Sequence, residues 1–582
     1  MSKRSRSSKL RIVKAAGRER AEDRRPSLRT KWLKLQQRIA ESLILRGSLT
    51  ALWGIILAVS VMALLNAFGV QLFKWNERAF LSRCLNVGET EGLTGFDPGR
   101  ICSAGQLRML SPCFETLVAS RDGKHYLPGL AESWSVSPDG LKWRFTLRRG
   151  CRFHSGAYLN AASAAESFLR MWHKDEDGRL KSRPEYQFCH VHLGGADPAL
   201  RSVKAAGNYE LEFVLRRPIA DFLPVLASLP MAVVCRDEDG GRAADIGAGA
   251  DTPVFLGTGP YALKEFRKDR RLTLQSFSDY WGKRAEIRLI NFFFLDDYRL
   301  RLREYRQKNL DMAAGILPHD KNIFLQDGDT ESCFLNTWLR VSLDFNCSAR
   351  PFNDVRLRQA VVRAVDREEL FESDSSDSSP SYRDFLSPDL SLPFLDRRRI
   401  TNSRTEAERL WHNNLGARDR SISICYDSDR SLLDKAAVAE RLCRQLGEVK
   451  FDSRAEEVSV REGRYRLANS HFDIWLRCAE IPQRPMDIIF RQDWLGGNFF
   501  WGNISRYRGG RVLELLESAR FNADGEVRRQ FYGKIAEKLY DDMPRLDLVW
   551  LKEYVIYRSE LSAEIDDQGK IYFERIKLKD ER

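Results

Sequence analysis

The sequence predicts a mixed α/β extracytoplasmic domain preceded by a single membrane-spanning helix. Residues 51–73 form a run of 23 without a charged side chain. Beyond it, short β-branched and aromatic segments alternate with amphipathic ones, with no internal repeat. At 582 residues, the chain is also longer than the roughly 250–300 residues at which a single core stops growing, so more than one core is expected.

The N-terminal element is a basic tail. Residues 1–48 hold 15 Lys and Arg against four acids, so they carry +11 of the chain's formal net charge of +13. The remainder is close to neutral. The apolar run that follows, ALWGIILAVSVMALLNAFGVQLF, would span about 34 Å as a helix, enough to cross a bilayer. Asn66 and Gln71 interrupt it only mildly, and Gly54 and Gly69 are tolerated because lipid offers the backbone no other partner. With the cations on its N-terminal side, the positive-inside rule puts residues 1–48 in the cytoplasm and the chain after about Lys74 outside. A cleaved signal has a short basic region and an apolar core of roughly 7–15 residues, so the longer tail and run favour an uncleaved anchor. Leu28, Trp32, Leu35, Ile39 and Leu43 make one helical stripe flanked by Lys31, Lys34 and Arg38. That stripe suits an anionic leaflet, and a solvated tail that only fixes topology accounts for it equally. A lipid-based reason for these cations leaves no need for nucleic acid, and none is expected as a partner.

All 11 cysteines lie beyond residue 83, where disulfides are permitted. Their odd number, wide spacing and lack of any C-x-x-C pair indicate neither a zinc site nor a disulfide framework. No G-x-S-x-G elbow, phosphate-binding loop or H-E-x-x-H helix occurs, so no catalytic residue, metal or cofactor is assigned. His190 and His192, at alternate positions, would share one face of a strand beside Cys189. The Asp/Gly stretch 237–251 lacks the alternating ligands of a calcium loop and reads as a surface loop.

Strands are predicted at 142–147, 209–215, 272–277 and 287–294. Pro138, Asp139 and Gly140 form a turn between two strand patterns, with Trp134 and Trp143 as apolar anchors. Asp354 caps a helix whose Val355, Ala360, Val361, Ala364 and Val365 face inward, while Arg356, Arg358, Arg363 and Arg367 face water. Val512, Leu515, Leu516 and Ala519 make a second helical face, and Val527, Phe531, Ile535 and Leu539 a third.

Several segments also occur in a meaningful order. LTGFDPG at 93–99 is followed by MLSPCFETLVASRDGKHYLPGLAESWSVSPDGLKWRFTLRRGCRFHSG, then ELEFVLRRPIADFLPVLAS, GTGPYALKEF at 257–266 and FSDYWGKRAEIRLINFFF. SLDFNCSARPFNDVRLRQAVVRAVDREEL, FDIWLRCAEIPQRP and DDMPRLDLVW complete the series. Together they resemble the signatures of the family 5 extracellular solute-binding proteins, which capture oligopeptides and related solutes for ABC importers. The resemblance runs across nearly the whole domain, and its motifs are turns and strands shared among members with different ligands.

The resemblance implies a two-lobed periplasmic-binding-protein fold, with an extra subdomain in the first lobe and a ligand enclosed between the lobes. The charge count and the apolar run themselves put a basic tail at 1–48, a membrane helix at 49–73 and a linker at 74–90 ahead of it. Lobe I with its subdomain then covers 91–316, lobe II 317–550, and 551–582 returns to lobe I. A binder, not an enzyme, is expected, held at the membrane through residues 51–73 with its binding domain periplasmic. Its partners would be a peptide or small solute and ABC permease subunits. In peptide-binding relatives an Asp in a C-A-D segment pairs with the ligand's α-amino group, and Cys478-Ala479-Glu480 occupies that place, one methylene longer. A surface Glu at a loop accounts for the same residue. Cys478 accompanies it, Phe114 lies in the segment beside the cleft, and Phe345 and Asn346 begin the F-N motif, each with an equally good core explanation. Trp475 is a candidate cleft aromatic, and Arg477 stands near the family's common Trp, where it would suit a carboxylate or phosphate.

Two departures shape the expected function. After DREEL the chain continues FESDSSDSSPSYRD, an exposed Ser/Asp-rich loop, and the anchor is a helix with a cytoplasmic tail. Fixing a binder at the membrane raises its effective concentration near a permease. The same arrangement suits a sensor or scaffold that keeps the fold and signals through the tail.

Overall fold

The computed structural model describes residues 84–582, apart from 102, 195–197, 237–253, 372–401, 415–420, 429–432, 483–485, 496–501, 523, 568 and 580–582. The basic tail, the membrane segment 51–73, the Asp/Gly stretch and the Ser/Asp-rich segment lie outside the described residues. No helix among the described residues is long and apolar enough to cross a membrane.

The labelled strands run, in chain order, β1 (Cys84–Glu89), β2 (Ala131–Val136), β3 (Lys142–Leu147), β4 (Leu200–Ala205), β5 (Glu210–Leu215), β6 (Tyr261–Arg267) and β7 (Arg271–Ser276). They continue with β8 (Leu289–Phe294), β9 (Met312–Ile316), β10 (Thr330–Phe345), β11 (Ile422–Asp427), β12 (Ser453–Val458), β13 (Ile474–Pro482) and β14 (Arg545–Arg558). Ten of them make one sheet in the order β6-β7-β8-β1-β9-β14-β10-β13-β11-β12. Two separate cores form along it. One gathers Leu85, Val87, Leu272, Phe292, Leu335 and Val555, and the other Val341, Leu343, Ile424, Leu476, Leu546 and Val549. The long strands β10 and β14 therefore contribute one end to each core and are the chain's crossings between two lobes. Residues from the C-terminal stretch, Ile571, Phe573 and Ile576, return to the first core.

A third core belongs to a subdomain around the four-stranded sheet β2-β3-β5-β4. Its first hairpin turns at 137–140, where Gly140 takes φ +70° and its amide donates to Ser137 O at 2.8 Å. Trp134 and Trp143 both pack onto this core, and Phe145 stacks beside Trp143 at 6.4 Å.

Seven helices matter for the site: α1 (Ala104–Leu110), α2 (Gln187–His192), α3 (Tyr298–Arg306), α4 (Val355–Ala364), α5 (Met486–Leu495), α6 (Gly510–Arg520) and α7 (Gly525–Asp542). The capping of α4 is as predicted, with Asp354 accepting from the Arg356 amide at 2.9 Å. Arg358, however, is buried and does not face water. It donates to the carbonyls of Asp542 and Met543 at the end of α7, and to Phe352 O. A guanidinium there satisfies carbonyls that the last helical turn leaves without partners. On α6 the predicted face is buried throughout, each Val or Leu contributing about 1.5–3 kcal/mol. On α7 the buried face is Tyr532, Ile535, Ala536 and Leu539, rotated toward the small Ala536. Two further differences appear. His190 and His192 lie on α2, a helix and not a strand, because the short segment packs Phe188, Cys189 and His192 inward. β1 begins at Cys84, inside the stretch expected as a linker, and pairs in parallel with β8 and β9. Of its six residues only Val87 is β-branched or aromatic, so it lacks the content that marks the predicted strands.

Candidate ligand site

β13 carries most of the predicted site residues, and its antiparallel register with β10 sets where each one points. Leu339 faces Glu480, Val341 faces Cys478, Ser342 faces Arg477 and Asp344 faces Trp475. Alternation along the strand places Cys478 and Glu480 on one side of the sheet, and Trp475 and Arg477 on the other.

Glu480 is half-buried and lies where the two lobes adjoin. It accepts from Thr90 Oγ1 at 3.3 Å, on the loop just after β1. Around it stand three more carboxylates that the sequence did not reveal as a group. Glu89, at the end of β1, takes both Nε and Nη2 of Arg108 on α1, at 3.0 and 2.7 Å. Glu91 accepts from Gln106 Nε2 at 3.1 Å. Glu553 on β14 is fully buried, and neither of its oxygens has a hydrogen-bond partner among the described residues. Arg301 on α3 adds a buried guanidinium whose donors go to Leu295 O and Gly315 O.

Electrostatics follow from that composition. Burial first, then the nearby Glu480 charge, pushes Glu91 up to about 8. Glu553 lies well above the usual carboxylate range, again through burial first and Glu480 second, with Arg108 opposing. Glu480 is itself raised by burial, against the pull of Arg108. An enclosed cluster with more carboxylates than guanidiniums resists carrying its full negative charge, and so favours a positively charged guest or protons.

The other predicted residues are placed differently. Trp475 is 2% exposed and sits in a small core with Cys425, Phe472 and Ile504. Phe345 is fully buried against Phe352 at 5.1 Å. Asn346 clamps the chain: its Nδ2 donates to Ser470 O and Phe472 O at 2.9 and 2.8 Å, while its Oδ1 accepts from Ser348. Cys478 is half-buried against the lobe II core. Arg477 is buried among Arg340, Arg545, Asp344, Asp493 and Asp547. In that group Arg340 and Arg545 both meet Asp493, at 2.7 and 3.1 Å, and Arg545 Nε meets Asp547 at 2.7 Å. Burial lowers Arg477 to about 10, although Asp344 opposes the shift. Asp493 falls to about 2, because the two arginines outweigh its burial. Three cations and three anions balance there.

Phe114 is buried in the lobe I core and lines a cavity of about 280 Å³. The cavity lies among α1, the segment 224–229, the β10 residues Leu335 and Thr337, and Lys570 of the C-terminal stretch. Beside Phe114, Glu115 draws three of the recognised motifs together. It accepts from Thr258 Oγ1 of GTGPY at 2.8 Å, and from Tyr280 OH and Trp281 Nε1 of FSDYWG at 3.0 and 2.9 Å. Gly257 and Gly259 lie so close to the carbonyls of Cys113 and Pro112 that a Cβ at either would collide. Gly259 N donates to Cys113 O at 3.0 Å and Tyr261 N to Pro112 O at 3.1 Å. The motif is thus a backbone contact that only glycine permits.

Sequence reasoning singled out Glu480 but not its neighbours, because they lie on β1 and the loop after it, α1, α3 and β14, up to 464 positions apart in the chain. One signal was present: Glu553 is a charged residue inside the otherwise largely apolar run RLDLVWLKEYVIYR.

Comparison with known proteins agrees with this architecture. The chain is 27% identical over 307 residues to the dipeptide-binding protein of Escherichia coli K12, covering 50% of this chain and 56% of that one. The chain spans about half the length of this and of two di/tripeptide-binding relatives from Pseudomonas aeruginosa. A longer match, 23% identical and covering 79% of this chain and 86% of the other, is to a probable D,D-dipeptide-binding periplasmic protein of E. coli. The fold superimposes with a TM-score of 0.73 on the periplasmic binding protein DppA of Helicobacter pylori in complex with a peptide, at 18% identity, over 86% of this chain and all of that one. The family model of the bacterial extracellular solute-binding proteins, family 5, matches residues 125–477. With more than half its length matched by that model, two lobes and a subdomain, the chain belongs to family 5 of the bacterial extracellular solute-binding proteins, a family of binders and not of enzymes.

Proposed function

We propose that this chain is a membrane-anchored extracytoplasmic solute-binding protein that captures peptides or similar amine-bearing solutes for an ABC transporter. The observation that carries the reading is Glu480, half-buried where the lobes adjoin and facing Thr90 across the junction. A carboxylate so placed anchors a ligand ammonium, and lobe closure withdraws the pair from water, where it is stronger. Peptide binding by the relatives and by the H. pylori structure supports the ligand class. Residues 51–73 supply the anchor, the domain lies on the periplasmic side, and permease subunits read the closed form. Cys478 shares the Glu480 side of the sheet, and Phe114 walls the neighbouring cavity. Arg477, Trp475, Phe345 and Asn346 act by holding β13 and its flanks in place.

Calorimetric titration of the full chain with a tripeptide and its N-acetylated form tests this reading. The free amine should bind at least about tenfold more tightly, and Glu480→Gln should lose at least that factor. Removing one partner of an enclosed charge pair costs about 2–5 kcal/mol, and 1.4 kcal/mol is tenfold. Equal affinity for both forms would overturn the anchor.

The basic tail, with a net charge of +11, favours a second reading. In it the chain is a membrane-tethered sensor or scaffold that keeps the fold and engages a cytoplasmic partner. Co-purification with ABC permease subunits supports import, and a ligand-dependent cytoplasmic partner without a permease supports the sensor.

A further inference from the structure

The carboxylates around Glu480 outnumber the charge that one ligand ammonium can supply. Glu89 and Arg108 close a bidentate pair and neutralise each other. That leaves Glu91, Glu480 and Glu553, with Arg301 as the remaining guanidinium of the cluster. Fully ionised, this remainder carries −2. Arg301 contributes its charge but spends donors on the carbonyls of Leu295 and Gly315, and so does not tie up the carboxylates. Glu480 and Glu91 each accept one hydrogen bond, from Thr90 and Gln106, while both oxygens of the fully buried Glu553 accept none among the described residues. The orphaned carboxylate points into the cluster. A Cβ placed on Gly315 would collide with Thr90, lie 3.0 Å from Glu553 Oε1 and lie 3.3 Å from Arg301 Nη2, so these three groups converge on one spot.

Resting on the reading of Glu480 as an ammonium anchor, we propose that the site is built for a ligand whose amine-bearing end carries two positive charges. A peptide beginning with a basic, lysine-like residue is such a ligand. The α-ammonium meets Glu480, and the second cation balances Glu91 and Glu553. A ligand end with a single charge leaves one negative charge uncompensated in an enclosed site, and the cluster must then retain a proton. Burial and the neighbouring Glu480 charge push the Glu91 and Glu553 carboxyls toward their protonated forms in the ligand-free cluster, so a dicationic end displaces more protons than a monocationic one. The groups facing these carboxylates are Glu89 from β1, Arg108 and Gln106 from α1, Arg301 from α3, Glu480 from β13 and Thr90 from the loop after β1.

The test is calorimetric titration of the purified full chain with three tripeptides X-Ala-Ala, where X is lysine, norleucine or alanine. Norleucine matches the length and apolar area of lysine without its charge. The lysyl peptide should bind at least about tenfold more tightly than the norleucyl one. Repeated in buffers of different ionisation enthalpy, it should release about one more proton per molecule bound. In Glu553→Gln and Glu91→Gln chains, each checked for folding by its melting curve, the lysyl-to-norleucyl ratio should fall toward one. Glu91 is half-buried, so Glu91→Gln keeps the test decisive if Glu553→Gln does not fold. Equal affinities for lysyl and norleucyl peptides in the unaltered chain overturn the proposal while leaving the Glu480 anchor standing. A lysine preference that persists in the folded variants also overturns it. Failure of all three peptides to bind overturns both this proposal and the peptide reading.

Discussion

Two residue types decide local behaviour here, glycines at backbone contacts and carboxylates out of water. At Gly257 an added Cβ meets the Cys113 carbonyl and the Phe114 ring, neither of which can swing aside. Gly257→Ala should therefore destabilise the chain by about 1–3 kcal/mol, the usual range for overpacking, read as a lower denaturant midpoint. Gly447, near the end of the helix Lys435–Glu448, has open space around its Cβ position. The matching Gly447→Ala change should be neutral or stabilising by up to about 1 kcal/mol. Equal effects at the two sites would show that backbone contact is not what Gly257 serves. Glu91 gives a pH signature of the opposite kind. Its carboxyl loses a proton near 4.5 when ordinary and near 8 in the fold, so between those values the folded state binds more protons than the unfolded. Stability of the ligand-free chain should fall as pH rises through that window and level off above about 8. Glu91→Gln should flatten the decline, and a melting temperature that rises from pH 5 to pH 8 equally in both chains would contradict it.

Among the elements, α4 and α7 show how a sequence pattern can be right about the helix and wrong about one side chain. The Val and Ala positions of α4 read as an inward face, and most are buried. Arg358 has the same charge as the exposed Arg356, yet turns inward because the carbonyls of Asp542 and Met543 end α7 at that point. Only the meeting of two helices far apart in sequence creates that demand. Arg358→Met should cost at least about 1.5–3 kcal/mol, the scale of hydrogen bonds made by a charged group. It should also speed amide exchange in the last turn of α7 more than elsewhere. Uniform exchange through the protein would argue that the contact is incidental. Strands were read more securely: the patterns at 142–147, 209–215, 272–277 and 287–294 correspond to β3, β5, β7 and β8 within two residues at either end, since each is rich in β-branched and aromatic residues. β1 escaped because only Val87 among its six residues is β-branched or aromatic.

For the molecule as a whole, the arrangement rests on contacts between the subdomain and lobe II as well as on the shared sheet. Arg491 on α5 donates to Val191 O at 2.8 Å, and Arg520 on α6 to His192 O at 2.7 Å. The Ala220 amide donates to Arg520 O at 3.2 Å. Two buried guanidiniums gripping the end of α2 hold the subdomain against lobe II. Closure of such folds is a balance between hinge states, and the ligand shifts it only by its preference for the closed one. Arg520→Ala should therefore enlarge the ligand-free radius of gyration in small-angle scattering and weaken ligand capture. Added ligand should restore the smaller radius. An unchanged radius with unchanged affinity would show that these contacts do not bias closure.

The sequence by itself determined the class of the molecule. Strand patterns rich in β-branched and aromatic residues, the hairpin turn at 137–140 and the F-N helix depend on local backbone geometry, and local geometry is written in consecutive residues. It also singled out Glu480, because the three-residue segment Cys478-Ala479-Glu480 is itself local. Tertiary structure alone decided what surrounds that carboxylate. Glu89, Arg108, Arg301 and Glu553 come from four elements, and Glu91 from the loop after β1, that the folding of one ten-stranded sheet brings together. It likewise decided that Trp475 and Phe345 lie in cores and that Arg477 lies in a balanced network of buried charges. The physical reason is one of range. Turn and strand preferences act between neighbours in the chain, whereas burial, charge balance and unmet hydrogen bonds are properties of residues that meet only when the chain has folded.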